Sequence, residues 1–331
     1  MASVRFLIVG AGGMGRAHIG NLLRCPEVEF AGLVDPAAAP VAATRERFPQ
    51  LADTPAYTDL ASALAAAGAD AAVIVTPHSQ HLEQGLACLD AGAHVLMEKP
   101  FVAGSQNAQR LIEHAQLRGR HVAVSYQRHL QGPYLYLRRL VQSGELGEVQ
   151  FVSAYQAQAW LKSTKGTWRQ DPELSCGGQL NDSGSHLLDV VLWMTGLTVR
   201  EVSARIENRG SRVDIDTALT VRFDGGAIAN FNIVGSSSIG WWEDVSVHGT
   251  KGAALYRNGA LLVARAGETR PEPVPESAWP ESGDPDRNFV DLLLGRVQEA
   301  AAPAACGLAV ARLTEAAWKS AEQGAPVRLD G

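Results

Sequence analysis

The chain has 331 residues, of which 46% are hydrophobic and 19% charged, and this length is too great for one ordinary hydrophobic core, so we expect two domains. Its formal net charge is −6 and it has no basic block, which argues against nucleic acid or an anionic membrane as a partner. The four cysteines lie far apart without a CxxC pair, which argues against a disulfide framework and a metal site.

The first part of the chain alternates short apolar strands with amphipathic helices. We predict strands at 4–9, 28–34, 71–75, 94–97 and 121–125, and helices from the glycine turn to about 23 and over about 40–48, 58–67, 79–91 and 104–118. Apolar strands between amphipathic helices indicate a parallel sheet covered on both faces. The apolar run at 6–9 is too short for a signal peptide and no stretch approaches a membrane span, so we expect a cytoplasmic protein.

The pattern changes after about residue 126. We predict a helix over about 133–143, strands at 149–155, 213–223, 227–234 and 244–247, a long surface loop over 271–287 and a last helix over about 306–323. Alternating polarity and turns at Asp224-Gly225-Gly226 and Asn258-Gly259 are typical of antiparallel strands.

These patterns predict an α/β protein. A Rossmann domain with a doubly wound parallel sheet would occupy residues 1–125, and an α+β domain with an open, mainly antiparallel sheet, used for substrate binding and oligomerisation, would occupy 126–331. Residues 213–234 carry in part an apolar pattern on the outer face of that sheet, a liability for a monomer. We therefore expect a homodimer or homotetramer.

A glycine motif follows the first strand. Its sequence is Gly10-Ala11-Gly12-Gly13-Met14-Gly15, or G-x-G-x-x-G, whose glycines permit the turn, the approach of a pyrophosphate and close helix–strand packing. Asp35 ends the second strand, where an acid binds ribose hydroxyls. A carboxylate there repels a 2′-phosphate, and residues 36–39 supply no arginine, so we predict NAD(H) over NADP(H). The alternative interpretation is a glycine turn followed by a turn-forming Asp-Pro.

Three further motifs join the glycine motif. They are Thr76-Pro77-His78-Ser79-Gln80-His81 after the third predicted strand, Glu98-Lys99-Pro100 at the end of the fourth, and Cys176-Gly177-Gly178-Gln179-Leu180-Asn181-Asp182-Ser183-Gly184-Ser185-His186-Leu187-Leu188-Asp189 in the second domain. Together with the tail at 315–321, the chain resembles the glucose–fructose oxidoreductase, inositol dehydrogenase and MocA family along essentially its whole length.

The resemblance implies an NAD(P)-dependent dehydrogenase that acts on a hydroxyl carbon of a sugar, inositol or related polyol. It implies that Lys99 reaches the reacting centre, that the Lys99–Pro100 bond is typically cis, and that Asp182 and His186 face the nicotinamide. The cofactor-binding set it implies beyond the glycine motif and Asp35 is Thr76, Pro77, His78, His81, Glu98, Lys99 and Gln127. The chain departs from the family pattern at Cys176, where a small residue is usual, and in Gln127-Arg128-His129 in place of Asn-Arg-Arg.

Oxidation of a secondary alcohol requires a base and a group that stabilises the developing alkoxide. We predict His186 as the base, because imidazole titrates near neutral pH, and Lys99 as the donor to the substrate oxygen. Asp182 would orient the substrate or His186, since residues four apart share one face of a helix. The alternatives are that Asp182 is an N-cap, His186 a buried structural histidine and Lys99 a surface charge.

The segment 155–171 is predicted to line the substrate side. Tyr155, Trp168 and Arg169 would bind substrate with Lys99, Asp182 and His186, because aromatic rings and polar groups suit a hydroxyl-rich ring. The alternative for Trp160 and Trp168 is that they are core residues. We expect Trp241 and Trp242 to pack in the sheet or to lie at a subunit interface.

Three other functions remain open. In the first, a tightly bound NAD assists glycoside cleavage or internal oxidoreduction between sugars. In the second, the chain is a non-catalytic sensor of NAD or another ligand. In the third, the chain is an enzyme that reduces imine, enone or aryl dihydrodiol substrates. A sensor has no need of Lys99, Asp182 and His186 together.

Overall fold

The computed structural model describes residues 3–329. The strands are β1 (Val4–Val9), β2 (Val28–Val34), β3 (Ala56–Tyr57), β4 (Ala71–Ile74), β5 (His94–Met97), β6 (Val122–Val124), β7 (Val149–Ala157), β8 (Val199–Glu207), β9 (Asp216–Phe223), β10 (Ile228–Val234), β11 (Trp242–Gly249), β12 (Ala253–Arg257), β13 (Ala260–Ala264), β14 (Glu272–Pro273) and β15 (Val327–Arg328). The α-helices are α1 (Gly13–Leu22), α2 (Ala38–Arg47), α3 (Leu60–Ala67), α4 (His81–Asp90), α5 (Ser105–Arg118), α6 (Gly132–Gln142), α7 (Trp160–Ser163), α8 (Pro172–Ser175), α9 (Gly184–Thr195), α10 (Pro285–Leu293) and α11 (Ala304–Gln323).

The chain divides into two compact units. The first unit runs up to Gln127 and includes Gly283–Leu308, and the second comprises Arg128–Ser282 and the chain from Ala309 onward. The sequence prediction assigned everything after residue 125 to the second domain, whereas the structure groups 283–308 with the first unit. No helix among residues 3–329 combines the length and apolar character that crossing a membrane requires.

The first unit is built on a six-stranded sheet in the order β3-β2-β1-β4-β5-β6, in which every neighbouring pair is parallel. The central strands are apolar throughout, and Ile8, Val73 and Leu96 are almost wholly buried, as expected of strands covered on both faces. The predicted doubly wound sheet is confirmed. The strand order reverses between β1 and β4, and a crevice at such a point is where sheets of this kind bind ligands.

Helix α10 was not predicted from the sequence, in which 271–287 is expected to be a loop and no element is assigned between 287 and 306. Strand β8 was likewise not predicted. The Asp284 side chain accepts the Arg287 N–H (2.9 Å) as an N-cap, and Pro285 opens the first turn. Phe289 is fully buried and its ring lies edge-on to Phe6, with centroids 6.4 Å apart. The cap signal was present in the sequence, but the Pro/Glu-rich stretch before it obscured the start of the helix.

The second unit contains a nine-stranded sheet in the order β14-β13-β12-β11-β7-β10-β9-β8-β15. Neighbouring strands are antiparallel except for the parallel pair β7–β10, so the predicted mainly antiparallel sheet is confirmed. The strand predicted over 213–223 was too long at its start, because β9 begins at Asp216 and the preceding Val213 and Ile215 pack instead against Trp160.

The exposed face of this sheet differs from the sequence expectation. Along β9, Ala218, Thr220 and Arg222 are exposed, whereas Leu219 and Val221 are buried. Successive side chains of a strand point to opposite faces, so the apolar positions of this strand lie on the covered side. The expectation of an apolar outer face over 213–234 was therefore wrong for β9.

Candidate active site

The predicted cofactor residues of the first unit follow the carboxyl ends of its parallel strands. The glycine motif follows β1, Asp35 follows β2, Thr76 comes shortly after β4, and Glu98 with Lys99 follows β5. Because parallel strands end at one edge of a sheet, these loops share that edge, beside the point where the strand order reverses.

The glycine loop leads directly into α1. A Cβ added at Gly15 would lie 2.0 Å from the Gly10 carbonyl oxygen, so only glycine lets the helix approach the end of β1 this closely. The N-cap, Gly12, has no side-chain cap, and the first turn carries no acidic residue. Nothing lies within 4 Å of Cβ positions built at Gly12 and Gly13, and Met14 is 37% exposed. An open helix N-terminus of this kind fits a pyrophosphate.

Asp35 is tied to the same loop. Its Oδ2 accepts the Ala11 N–H (3.0 Å) and its Oδ1 accepts the Ala37 N–H (3.0 Å). The carboxylate is therefore held at the end of β2, beside the glycine turn. This position suits hydrogen bonding to ribose hydroxyls.

The loop after β4 is held by its own side chains. The Thr76 hydroxyl donates to Gln84 Oε1 (2.6 Å). His81 is fully buried, with Nε2 3.0 Å from the Thr76 carbonyl oxygen and Nδ1 3.0 Å from that of Pro100. Burial lowers the pKa of His81, and the buried ring of His78 lies edge-on to it, with centroids 5.7 Å apart. His81 therefore joins this loop, which begins at Thr76-Pro77, to the turn that carries Lys99.

The turn after β5 has the form that the resemblance implied. The Lys99–Pro100 bond is cis, Lys99 is half-buried, and Glu98 is only 4% exposed. Glu98 Oε2 accepts the Lys99 backbone N–H (3.1 Å). Gln127 is half-buried in a 3₁₀ turn after β6 and is the last residue of this part of the first unit.

In the second unit, Asp182 lies in the turn before α9, which begins at Gly184. The prediction that Asp182 and His186 share a helix face was therefore wrong, because Asp182 precedes the helix; the N-cap position belongs to Ser183. Asp182 Oδ2 accepts Trp160 Nε1–H (2.9 Å) and Arg169 Nε–H (3.1 Å). This buried carboxylate is thus held in an ion pair that the sequence did not reveal.

His186 lies in the first turn of α9 and is 8% exposed. The loop that leads to it is anchored by Asp214, whose carboxylate accepts the N–H groups of Gly178 (2.9 Å) and Leu180 (2.7 Å) and Nε1–H of Trp318 (3.1 Å). Burial raises the pKa of Asp214 against these hydrogen bonds. Asp214 was not predicted as a site residue, and its one signal in the sequence is an acid inside the apolar stretch Val213-Asp214-Ile215.

Of the substrate residues predicted in segment 155–171, Trp168 and Arg169 lie near Asp182, whereas Tyr155 lies apart from them. Arg169, bonded to Asp182, has Cζ 4.6 Å from the centre of the Trp168 ring. Tyr155 alternates along β7 with Gln156, whose side chain donates to the Ser183 carbonyl oxygen just before α9. Because neighbouring side chains of a strand point to opposite faces, Tyr155 lies on the far side of the sheet from His186. Trp160 is buried as a core residue.

Two residues that depart from the family pattern, His129 and Cys176, lie in the second unit, as does Arg128, the neighbour of His129. Arg128 donates to Glu243 (2.8 Å), which also accepts from the Tyr134 hydroxyl. His129 lies 2.8 Å from Asp189 and stacks on Trp193, with centroids 4.2 Å apart. Cys176 adopts the left-handed conformation (φ 55°) at the end of α8.

Comparison with known proteins covers most of the chain. Residues 4–126 match the family described as "Oxidoreductase family, NAD-binding Rossmann fold", and residues 134–255 match the "GFO/IDH/MocA C-terminal domain".

Two curated relatives are inositol 2-dehydrogenases. That of Corynebacterium glutamicum (strain R) is 31% identical over 211 residues, 63% of this chain and 59% of the relative. That of Streptomyces avermitilis is 30% identical over 241 residues, 71% of this chain and 66% of the relative. The matched part of the chain thus spans less than two thirds of the length of these relatives.

One similar solved structure is the WlbA dehydrogenase from Bordetella pertussis in complex with NADH and UDP-GlcNAcA. It has a TM-score of 0.84 and 21% identity, over 100% of this chain and 99% of that one. At this level of identity the likeness concerns the fold.

Proposed function

The chain belongs to the GFO/IDH/MocA oxidoreductase family, and on that premise we propose that it is an NAD-dependent dehydrogenase that oxidises a secondary hydroxyl of a sugar, inositol or related polyol. The observation that carries this proposal is the position of Lys99. It follows β5 at the edge of the sheet that also carries the glycine loop and Asp35, so a primary amine stands where a Rossmann sheet binds its dinucleotide.

The cofactor-binding group consists of residues that fit NAD. The open N-terminus of α1 and the Gly12-Gly13 backbone would hold the pyrophosphate, and Asp35 would bind the ribose hydroxyls. Three half-buried residues would also contact the cofactor: Thr76, Pro77 and Gln127. Three buried residues would hold the surrounding loops in place without contacting it: His78, His81 and Glu98. A bound nicotinamide supplies the hydride acceptor.

The catalytic residues are Lys99, Asp182 and His186. His186 takes the proton of the substrate hydroxyl, and Lys99 donates a hydrogen bond to the same oxygen. Asp182, fixed by Trp160 and Arg169, orients the reacting groups and has no proton transfer of its own. Trp168 and Arg169 are the substrate-binding residues that we retain from the second unit.

The test is a substrate screen of the purified chain with NAD⁺. Inositols, aldoses and sugar acids are offered separately, and NADH is followed by its absorbance. We expect at least one polyol to yield NADH in proportion to the polyol consumed. Lys99→Ala is the matched variant, in which we expect NADH formation to fall by about two or more orders of magnitude; a mock purification without the chain measures any contaminating activity.

The other functions are separated by the same screen with product analysis and binding measurements added, and with imines, enones and dihydrodiols offered together with NADH. Sugar conversion without free NADH indicates a retained cofactor that assists glycoside cleavage or internal oxidoreduction. Ligand binding without turnover of any polyol, imine or enone indicates a sensor. Reduction of an imine, enone or dihydrodiol with no polyol oxidation would replace our proposal with a reductase function.

We also propose a homodimer or homotetramer formed through the second unit. Ile239, Trp241 and Trp242 of this unit are each at least 40% exposed and lie close together in the sequence, and clustered exposed apolar side chains mark interaction surfaces. The four cysteines lie within residues 3–329 and form no disulfide there, which suits a reducing compartment and supports a place in the cytoplasm.

A further inference from the structure

A buried cluster of three ionisable side chains joins distant parts of the first unit. His18 lies on α1, and its Nδ1 is 2.6 Å from Asp286 Oδ1 on α10. Its Nε2 is 3.2 Å from Glu98 Oε1, at the end of β5. The exposed fractions of His18, Glu98 and Asp286 are 3%, 4% and 0%. His18 and Asp286 have no part in the chemistry described above, and Glu98 has only a supporting position in the cofactor-binding group.

The geometry requires a charged imidazole ring. Both ring nitrogens face carboxylate oxygens, and only the doubly protonated ring donates from both. Burial opposes the charge, but Asp286 and Glu98 outweigh it and raise the pKa of His18 to about 10. At neutral pH His18 is therefore a fixed cation and not a proton-transfer group.

Each carboxylate in the cluster makes a second contact that defines its orientation. Asp286 Oδ2 accepts from Asn21 Nδ2 (2.7 Å), one turn further along α1. Glu98 Oε2 accepts the Lys99 backbone N–H (3.1 Å). The positive charges of His18 and Lys99 keep the pKa of Glu98 below its usual value although burial acts to raise it. One chain of contacts thus runs from α10 through His18 to the backbone of Lys99.

We propose that His18 is a positioning residue that fixes the Glu98-Lys99-Pro100 turn to the helix that begins at the glycine loop, and thereby sets the position of Lys99. The proposal rests on the proposed function only in assigning chemistry to Lys99. It adds a buried residue of α1, His18, and its partner Asp286, which lies on α10.

The first experiment measures position without activity. Crystal structures of the wild type and His18→Gln are compared, because glutamine removes the charge and can bridge only one carboxylate well. We expect the Lys99 Cα to move by more than about 0.5 Å, the tolerance of a catalytic constellation, while the glycine loop stays in place. A Lys99 position unchanged within error would overturn the proposal, whether or not the chain oxidises polyols.

The second experiment separates positioning from stability. The assay uses a polyol accepted in the screen and the same polyol deuterated at its carbinol carbon. We expect His18→Gln to lower kcat about 10- to 100-fold and to raise the deuterium isotope effect. KM and the Kd for NAD⁺ should change less than about threefold. A fall in melting temperature with an unchanged isotope effect and unchanged kcat per folded molecule would contradict us.

Two variants keep this experiment interpretable. Asp286→Asn keeps the shape of the side chain but removes one negative charge, so it serves if His18→Gln does not fold, and we expect the same direction of change. His94→Gln replaces a histidine of the same unit whose ring stacks on His121 (centroids 5.1 Å apart), and we expect it to leave kcat and the isotope effect unchanged. Wild-type inactivity towards every polyol would refute the proposed function, and the crystallographic comparison would still decide the role of His18.

Discussion

At the scale of single residues, Asp182 and His186 show that members of one motif occupy different environments. Asp182 is held by two donors, Trp160 and Arg169, before the helix begins, whereas His186 sits on the first turn of α9. A carboxylate with two donors is fixed in orientation, so it suits a positioning task. His186 remains the proposed base.

Loss of either proposed acid–base group should be severe. We expect Lys99→Ala and His186→Ala each to lower turnover by about two or more orders of magnitude, because each removes a positioned group from proton transfer or oxyanion stabilisation. Steady-state kinetics with the best polyol from the screen measure this, and circular dichroism checks the fold. Near-normal turnover in both variants would eliminate the mechanism.

Cofactor choice should depend on Asp35. Its carboxylate lies beside the glycine turn and repels a 2′-phosphate, so the wild type should bind NAD(H) more tightly than NADP(H). Asp35→Ala should shift the ratio of the two dissociation constants towards NADP(H) by about tenfold or more, because a like-charge repulsion is removed. Titration calorimetry gives both constants, and tighter NADP(H) binding by the wild type would refute the prediction.

The charge on His18 should make stability depend on pH in a defined direction. The folded-state pKa is about 10, above the ordinary value of 6.5, so folded molecules retain a proton that unfolded ones lose between these two values. The stabilisation is complete below pH 6.5 and is lost as the pH rises through about 10.

Urea unfolding of the wild type and His18→Gln between pH 6 and 10.5 measures this dependence. The stability difference between the two proteins should shrink steadily above about pH 7. A difference that stays constant across the range would show that His18 is neutral in the folded protein.

At the scale of elements, the loop before α9 depends on a close backbone approach. A Cβ added at Gly178 would lie 1.9 Å from the Asp214 carbonyl oxygen, and backbone atoms cannot yield as a flexible side chain can. Asp214 also accepts the Gly178 N–H, so displacement of this loop breaks its anchor.

Gly178→Ala should therefore disturb both stability and the site. We expect it to cost about 1–3 kcal/mol of unfolding free energy, as overpacking does, and to lower turnover through displacement of Asp182 and His186. Gly240→Ala is the matched control, since no heavy atom lies within 4 Å of its added Cβ. Equal stability of the two variants in chemical denaturation would contradict the prediction.

Elements with strong local signals were the most predictable from sequence. The apolar strands β1, β2, β4 and β5 and the glycine loop were located because period, turn residues and strand-end positions agree. The two-residue strand β3 was missed because it depends on pairing with β2. The contacts that anchor the site were missed for a related reason: Asp214 and Trp318 lie far apart in sequence and meet only in the folded unit.

At the scale of the whole molecule, the sequence predicted two domains but not the return of the chain to the first one. The change of pattern after residue 126 marks a domain boundary. No local pattern, however, predicts that residues 283–308 pack with the N-terminal strands. That pairing follows from Phe289 against Phe6 and Asp286 against His18, which are long-range contacts.

Assembly is a prediction at this scale. We expect light scattering at micromolar concentration to give two or four times the chain mass of 35.2 kDa. Trp242→Ser should weaken assembly, whereas Leu117→Ser, which replaces an 84% exposed side chain of the first unit, should not. A monomeric wild type would refute the proposed oligomer.

The late position of α10 in the chain has a consequence for synthesis. A ribosome releases residues in order, so the N-terminal Rossmann unit stays incomplete until residues 283–308 have emerged. Until then the imidazolium on α1 has one counter-charge in place of two, and Phe6 lacks its aromatic neighbour. A fragment that stops at residue 127 would retain the glycine loop and yet be a poor surrogate for the intact dinucleotide-binding domain.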